Sequence, residues 1–219
     1  MENLVISSTC QINGLKDIYS KYLNLQNGFF VEVGAYDGGT WSNTSGLADI
    51  GWSGIYIEPI PIYMNECKKR HNNNNIIFEE CAISNSQTTA EIKIVGGLST
   101  LSALAHLANK AFFTSNHFEK EHSIIVPCYK LDDILRKNNV SKNFELLVVD
   151  VEGYETQVFD SFSIEFYKPK MIICELMDNH PITENFNILR KECVELRKKI
   201  ISYGYKEIHS DPINTIFVL

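Results

Sequence analysis

Glu32 and Asp37 bracket a glycine-broken turn in FFVEVGAYDGG (residues 29–39), where an apolar strand runs straight into a loop containing Gly34, Gly38 and Gly39. Two carboxylates beside a bare backbone suit a ligand that carries positive charge. Further acids recur where apolar runs end: Glu58 in GIYIEP, Asp150 and Glu152 in VVDVEG, and Glu175 in IICEL, followed by Asp178 and His180. Such groups can hold a cation, or take a proton from a weak nucleophile such as an alcohol as it reacts. An imidazole is the side chain best tuned to proton transfer near neutral pH.

Two ligand classes compete for the loop. A dinucleotide needs G-x-G-x-x-G, whose middle glycine lets the pyrophosphate approach the backbone. With Gly34 and Gly39 as the outer pair, the middle position is Tyr36, an obstruction, and Glu32 and Asp37 repel phosphate. S-adenosylmethionine (SAM) has no phosphate; it has an ammonium and a sulfonium. Glu32 and Asp37 can then help directly or through water, while Gly34, Ala35 and Gly38 keep the backbone close. Ser42, Asn43 and Thr44 offer donors to the methionine carboxylate. Glu58, with Pro59 after it, can accept bonds from ribose hydroxyls, as acids do in dinucleotide folds too. Cys81, Ala82 and Ile83 can line an adenine slot. Asp37 and Asn43 also have a plainer reading, as turn and cap residues.

On the acceptor side, Asp150 is the leading candidate for general base, with holding the ammonium group as its alternative role. Glu152 is either a supporting acid or the start of the next helix, where acids are favoured. His180 can act as a base or touch the acceptor. Asp150, Glu175 and Asp178 can together bind a divalent cation that acidifies a hydroxyl, although their spacing does not require a metal. His106, His117 and His122 fall in the variable segment and receive no assigned role.

The elements that must position these groups alternate. A helical lead-in (14–25) precedes the strand GFFVEV. A loop-to-helix segment (TWSNTSGLADIG), the strand GIYIEP, a helix PIYMNECKKRH with Pro61 in its first turn, a polar NNNN turn and a third strand, IIFEECAIS, follow. TAEIKIV (89–95) alternates with period two, as an edge strand does. Leu98, Leu101, Leu104 and Leu107 predict an amphipathic helix over 98–113, a packing helix in preference to a lid. Then come SIIVPCY, a helix LDDILRKN, the strand ELLVVD (145–150), a helix starting in VEGYETQVFDSF, the strand KPKMIICEL and a long helix over 184–203 stopped by Gly204. GYKEIHS and TIFVL are joined too closely for a parallel crossover and must pair antiparallel. The expectation is an α/β fold: a mostly parallel seven-stranded sheet, helices on both faces, and a closing hairpin whose last strand lies beside the fifth.

The 219 residues suit a single domain (1–219), with residues 1–28 as lead-in and 96–122 as a variable substrate-side segment. Six scattered cysteines without a C-x-x-C pair read as reduced thiols of a cytoplasmic protein. The first residues, MENLVISSTC, do not read as a signal peptide, and no apolar run reaches the ~20 residues of a membrane span. A net charge of −7 disfavours nucleic acid or an anionic membrane as partner.

The segments FVEVGAYDGGTWSNT, GWSGIYIEP, CAIS, VPCYKLDDIL, LLVVDVEGYETQVF and KPKMIICEL, in this order over about residues 29–176, resemble the FkbM family of methyltransferases, within the Rossmann-like class I group. The resemblance implies a SAM-dependent O-methyltransferase, releasing S-adenosylhomocysteine, for hydroxyls of sugars, glycans or polyketide-like small molecules. It also implies cofactor roles for Glu32, Gly34, Ala35, Tyr36, Asp37, Gly38, Glu58, Ala82 and Asp150. Trp41 stands where the family often has a smaller residue, and 96–122 departs from the pattern. Competing readings are another acceptor (a natural product, peptide or nucleic acid) and a SAM-binding module without catalysis.

Overall fold

The computed structural model describes residues 4–86, 88–113 and 122–219. Its main sheet contains β1 (Phe29–Val33), β2 (Ser53–Ile57) and β3 (Ile76–Glu79), then β7 (Leu146–Val149), β8 (Met171–Glu175), β9 (Lys206–Ser210) and β10 (Asn214–Val218). A second sheet holds β4 (Ala82–Ile83), β5 (Thr88–Ile94) and β6 (His122–Tyr129). The helices are α1 (Leu15–Tyr22), α2 (Ser45–Asp49), α3 (Pro61–Arg70), α4 (Ala103–Phe112), α5 (Leu131–Lys137), α6 (Glu155–Asp160), α7 (Ile164–Tyr167) and α8 (Asn187–Ser202).

The main sheet runs β3-β2-β1-β7-β8-β10-β9. Its members pair parallel except β10, which is antiparallel to both β8 and β9. This is the expected closing hairpin, with the last strand beside the fifth. β7 and β8 are buried at every position, as continuously apolar strands covered on both faces must be. Period two divides the side chains between two layers. Val31, Val33, Leu147, Val149, Ile172 and Cys174 pack under α5, α6 and α8. Phe30, Tyr56, Leu146, Val148 and Ile173 meet Leu15, Tyr19, Leu47 and Trp52 on the other face. Glu32 belongs to the second set by parity, so its carboxylate enters the layer built by the N-terminal helices.

Three expected elements differ. IIFEECAIS is two strands, because the chain turns at Glu79–Cys81 (Cys81 N to Glu79 O, 3.1 Å) and leaves the main sheet. Glu79 accepts from Lys137 Nζ and Asn138 Nδ2, both at 2.7 Å, so its charge is satisfied at the bend. TAEIKIV is an edge strand, but of the second sheet, antiparallel to β6. The helix expected over 98–113 begins only at Ala103, where Ser102 Oγ caps Ala105 N at 3.1 Å. Leu98 and Leu101 stay in a preceding loop turned by Ser99 Oγ on Gly96 O (2.5 Å) and Thr100 Oγ1 on Ser102 N (2.9 Å). Local Ser/Thr bonds to the backbone outcompeted the leucine periodicity. Part of the variable segment, residues 114–121 with His117, lies outside the described residues.

All six cysteines are unpaired. Among the described residues no helix is long and apolar enough to cross a membrane.

Candidate active site

After β3 the chain returns to the opposite side of β1, at β7, so strand order reverses between β1 and β7. Ligands of open α/β sheets sit beyond the carboxyl ends at such a point. Here the strand ends are laced together: Asp150 N donates to Val33 O at 3.0 Å, and Gly34 N and Ala35 N to Ile57 O at 3.0 and 3.1 Å. A Cβ on Gly34 would lie 1.7 Å from the Asp150 carbonyl oxygen, and its φ of +91° is one that L side chains rarely adopt. Glycine is therefore required where the loop crosses the β7 end.

Above this crossing opens a cavity. Of the expected site residues, Glu32, Gly34, Ala35, Tyr36, Ser42, Glu58, Pro59, Cys81, Ala82, Ile83, Asp150, Glu152, Glu175 and His180 line it. Four others do not.

Asp37 is the first correction. Its Oδ1 accepts from Gly39 N (2.9 Å) and Thr40 N (2.7 Å), and its Oδ2 from Thr40 Oγ1 (2.6 Å). It fastens the glycine turn and presents no charge to the cavity, the turn role such residues fill elsewhere. Gly38 packs against α3: an added Cβ would meet Cys67 Sγ at 2.7 Å and the His71 ring at 2.9 Å, while His71 Nε2 holds the Gly38 carbonyl at 2.7 Å. Asn43 is buried as a loop brace, its carbonyl taking Tyr19 OH at 2.8 Å and its Oδ1 the Cys10 thiol at 3.4 Å. Asp178 is engaged by Arg197 at 2.6 Å, which also reaches Glu207, and so is committed to a buried ion pair away from the other acids. Asp37→Ala is accordingly expected to cost about 1–2 kcal/mol of stability by orphaning turn donors. Cofactor affinity should fall only as far as the loop loosens. Urea denaturation and calorimetry on the same samples check this, and a large affinity loss at unchanged stability would restore a direct contact.

Inside the cavity the acids divide into two groups. Glu32 is buried, with Thr44 Oγ1 hydrogen-bonded to it and Thr44 Oγ1 also 2.9 Å from Tyr56 OH. Burial pushes its carboxyl up to about 8. Ser42 Oγ accepts from Thr44 N (3.2 Å) and Ser45 N (3.0 Å) and hydrogen-bonds with Tyr56, so it braces the loop where it lines the cavity. Glu58 accepts from Tyr36 N (3.0 Å) and Ile60 N (2.8 Å), one on each oxygen, and each oxygen keeps a lone pair for a ligand hydroxyl. Burial raises Glu58 to about 7. Tyr36, at φ +49°, stacks on Trp41 with centroids 5.9 Å apart and meets the tilted ring of Tyr63 at 4.4 Å. That ring stands where a dinucleotide motif needs a glycine.

The second group is Asp150, Glu152 and Glu175. β7 and β8 pair in parallel register, Val149 opposite Cys174, so Asp150 and Glu175 emerge side by side. Glu152 does not start a helix. It sits at φ +56° before Gly153 at φ +85°, in a loop held by Glu155, whose Oε1 accepts from Val151 N and Gly153 N, both at 3.1 Å. Burial raises Asp150 to about 6 and Glu155 to about 7; burial, then the charges of Asp150 and Glu155, hold Glu152 well above its ordinary value, and burial, then the charges of Glu152, Asp150 and Glu155, do the same to Glu175. Glu155 and Asn109, which lies beside Glu152, had no assigned part in the site. The D-x-E-x-x-E spacing was the available signal for Glu155; Asn109 reaches the cavity from α4 and had none.

His180 Nδ1 accepts from Ile182 N at 3.1 Å, and burial lowers its pKa. The neutral ring therefore carries its proton on Nε2, where it can donate to a ligand but cannot take up a proton. His180 is thus placed to donate a hydrogen bond into the cavity.

The profile of the FkbM methyltransferase domain matches residues 32–207. A comparison with curated proteins finds no match. Among solved structures, an O-methyltransferase from Bacillus cereus in complex with S-adenosylhomocysteine is similar over 100% of this chain and 86% of its own, at 12% identity and a TM-score of 0.51. The O-methyltransferase TomG from Streptomyces achromogenes, in complex with SAM, is similar over 94% of this chain and 77% of its own, at 10% identity and a TM-score of 0.52. At such identities these two establish the fold. The family match extends from Glu32 at the end of β1 to Glu207 in β9 and takes in the main acids of the cavity, so the chain belongs to the FkbM methyltransferase domain family.

Proposed function

We propose that the protein is a SAM-dependent O-methyltransferase that methylates a hydroxyl of a sugar or glycan, acting in the cytoplasm as one domain. Family membership makes methyl transfer the reaction class. The observation that carries the cofactor assignment is the set of buried carboxylates, Glu32, Glu58 and Glu175, that line one cavity at the strand ends. A ligand here must bring positive charge and hydroxyls. SAM fits that description and a diphosphate does not.

In this reading Glu58 holds the ribose hydroxyls, Cys81, Ala82 and Ile83 flank the adenine, and Glu32 and the Gly34–Ala35 backbone face the methionine end with Ser42. When bound, SAM supplies a methyl group whose bond to sulfur breaks as a bond to the acceptor oxygen forms, leaving the neutral thioether. The chain's own residues do the rest. Tyr36, Trp41 and Tyr63 form an aromatic wall, and Trp41 remains half exposed at the rim. Such a face suits the apolar side of a sugar ring. Asp150 receives the hydroxyl proton as the acceptor oxygen attacks, and His180 donates Nε2–H to the acceptor. Positioning of the two reactants supplies much of the rate.

The test is calorimetric titration with S-adenosylhomocysteine and NAD in parallel, followed by methyl-transfer assays on nucleotide sugars and glycans. Saturable binding of the thioether without NAD binding is expected. The converse would overturn the cofactor assignment, and turnover restricted to peptide or nucleic acid would overturn the acceptor class.

A further inference from the structure

Asp150, Glu152 and Glu175 each bring one oxygen to a common place, the three atoms lying within 4.8 Å of one another. Two come from adjacent parallel strand ends. The third is turned toward them by the left-handed Glu152–Gly153 pair, and that loop lies hard against α4, since a Cβ on Gly153 would sit 2.5 Å from Ala105 Cβ. Two buried side chains of the same cavity bear on this cluster. Glu175 Oε2 has no hydrogen-bond donor among the described residues. Asn109, 2% exposed, lies beside Glu152 with its Nδ2 short of a well-formed hydrogen bond. A carboxylate oxygen left without a donor at this depth calls for a ligand, because a buried carboxylate without a partner is costly.

We propose that Asp150, Glu152 and Glu175 bind a divalent cation of the oxygen-preferring kind, Mg²⁺ or Mn²⁺, and that this ion seats the acceptor hydroxyl. The donor set is all oxygen, which suits hard divalent ions and not zinc or copper. Charge favours a dication over the donor's ammonium group. Three ionised carboxylates carry −3; an ammonium leaves −2 buried among them, a dication leaves −1, and the sulfonium nearby offsets that remainder. Three protein oxygens do not fill an octahedral shell, so positions are open for the hydroxyl. Coordination there lowers the hydroxyl pKa. The proton passes to the free Asp150 oxygen, the hydroxyl lone pair takes the methyl group, and the sulfur–carbon electron pair returns to sulfur.

The ion's role in turnover rests on the methyl-transfer reading; its binding does not. The experiment is titration of MnCl₂ into chelator-treated full-length protein, with S-adenosylhomocysteine titrated separately into the same samples. Stoichiometric Mn²⁺ binding is expected. Glu175→Gln and Glu152→Gln should each weaken it by ~10- to 100-fold or more, with thioether affinity held within a few-fold. If Glu175→Gln fails to fold, Glu152→Gln on its partly exposed loop carries the comparison. Thioether binding with no Mn²⁺ uptake up to millimolar concentration overturns the site and leaves the methyltransferase reading standing. Mn²⁺ binding unaffected by both substitutions also overturns it. Mn²⁺ binding that responds to the substitutions, without any thioether binding, supports the site and removes the donor assignment instead.

Discussion

Asp150→Asn is expected to lower kcat by ~100- to 10,000-fold, the range lost with a general base, equivalent to about 3–5 kcal/mol of transition-state stabilisation. S-adenosylhomocysteine affinity should change by no more than a few-fold. The split follows from where the two ends of this residue sit. Its backbone is part of the laced floor, with N on Val33 O at 3.0 Å and its carbonyl under Gly34, and asparagine preserves that backbone. Its side chain faces Glu175 and Glu152, where an amide can neither take up a proton nor carry charge. Single-turnover assays at saturating donor read the first effect and calorimetry the second. A variant whose thioether Kd moves as far as its kcat would reassign Asp150 to the donor's ammonium group. One with unchanged kcat would move the base to Glu175 or Glu152.

His180 sharpens the same point. From sequence, a histidine near the rim is a fair base. The structure shows its Nδ1 lone pair occupied by Ile182 N–H, which leaves Nε2 protonated and the ring a donor. His180→Gln keeps a donor and is expected to cost much less turnover than Asp150→Asn, raising the acceptor KM more than it lowers kcat.

The sheet was legible because burial on both faces writes itself as continuous apolar runs in β1, β7 and β8, and because the short connection before TIFVL admits only antiparallel pairing. The strand-end acids were legible for the same reason, since an acid that closes such a run has few places to go except the carboxyl edge of the sheet. What sequence could not separate was which polar groups the loops would consume for themselves. Asp37 has the chemistry of a ligand contact and spends it on Gly39 and Thr40. Asp178 has the chemistry of a metal ligand and spends it on Arg197, 19 residues away on α8. Asn109 and Glu155 went the other way, hidden in segments that read as packing. For Asp37, Asp178 and Glu155 the deciding bond joins the side chain to a backbone group or a distant helix, and composition and periodicity say nothing about either.

The empty protein is expected to lose stability as pH rises, the reverse of the usual behaviour of carboxylate-stabilised folds. A carboxyl raised by burial keeps its proton in the folded state after the unfolded chain has lost its own near the ordinary value of 4.5. Between those pH values the folded state binds more protons, so the slope of unfolding free energy against pH is negative. The contribution is complete below the unfolded pKa and is lost as pH passes the folded one. For Glu58 that window closes at about 7 and for Glu32 at about 8; Asp150, at about 6, and Glu155, at about 7, act in the same direction. Each pKa unit is worth ~1.4 kcal/mol, so Glu32 alone accounts for a change on the order of 4 kcal/mol between pH 5 and 8.5. Urea denaturation at pH 5.5, 7 and 8.5 measures it. Glu32→Gln keeps an acceptor for Thr44 and removes the charge; it should flatten the profile and stabilise the empty protein at pH 8.5 by a few kcal/mol, while weakening SAM. A cationic ligand stabilises the ionised carboxylates, so saturating SAM should restore stability most at the alkaline end. A ligand-free profile that stays level or rises from pH 5.5 to 8.5 would mean that these carboxyls find compensation within the chain, and the case for a cation in this cavity would lose its electrostatic basis.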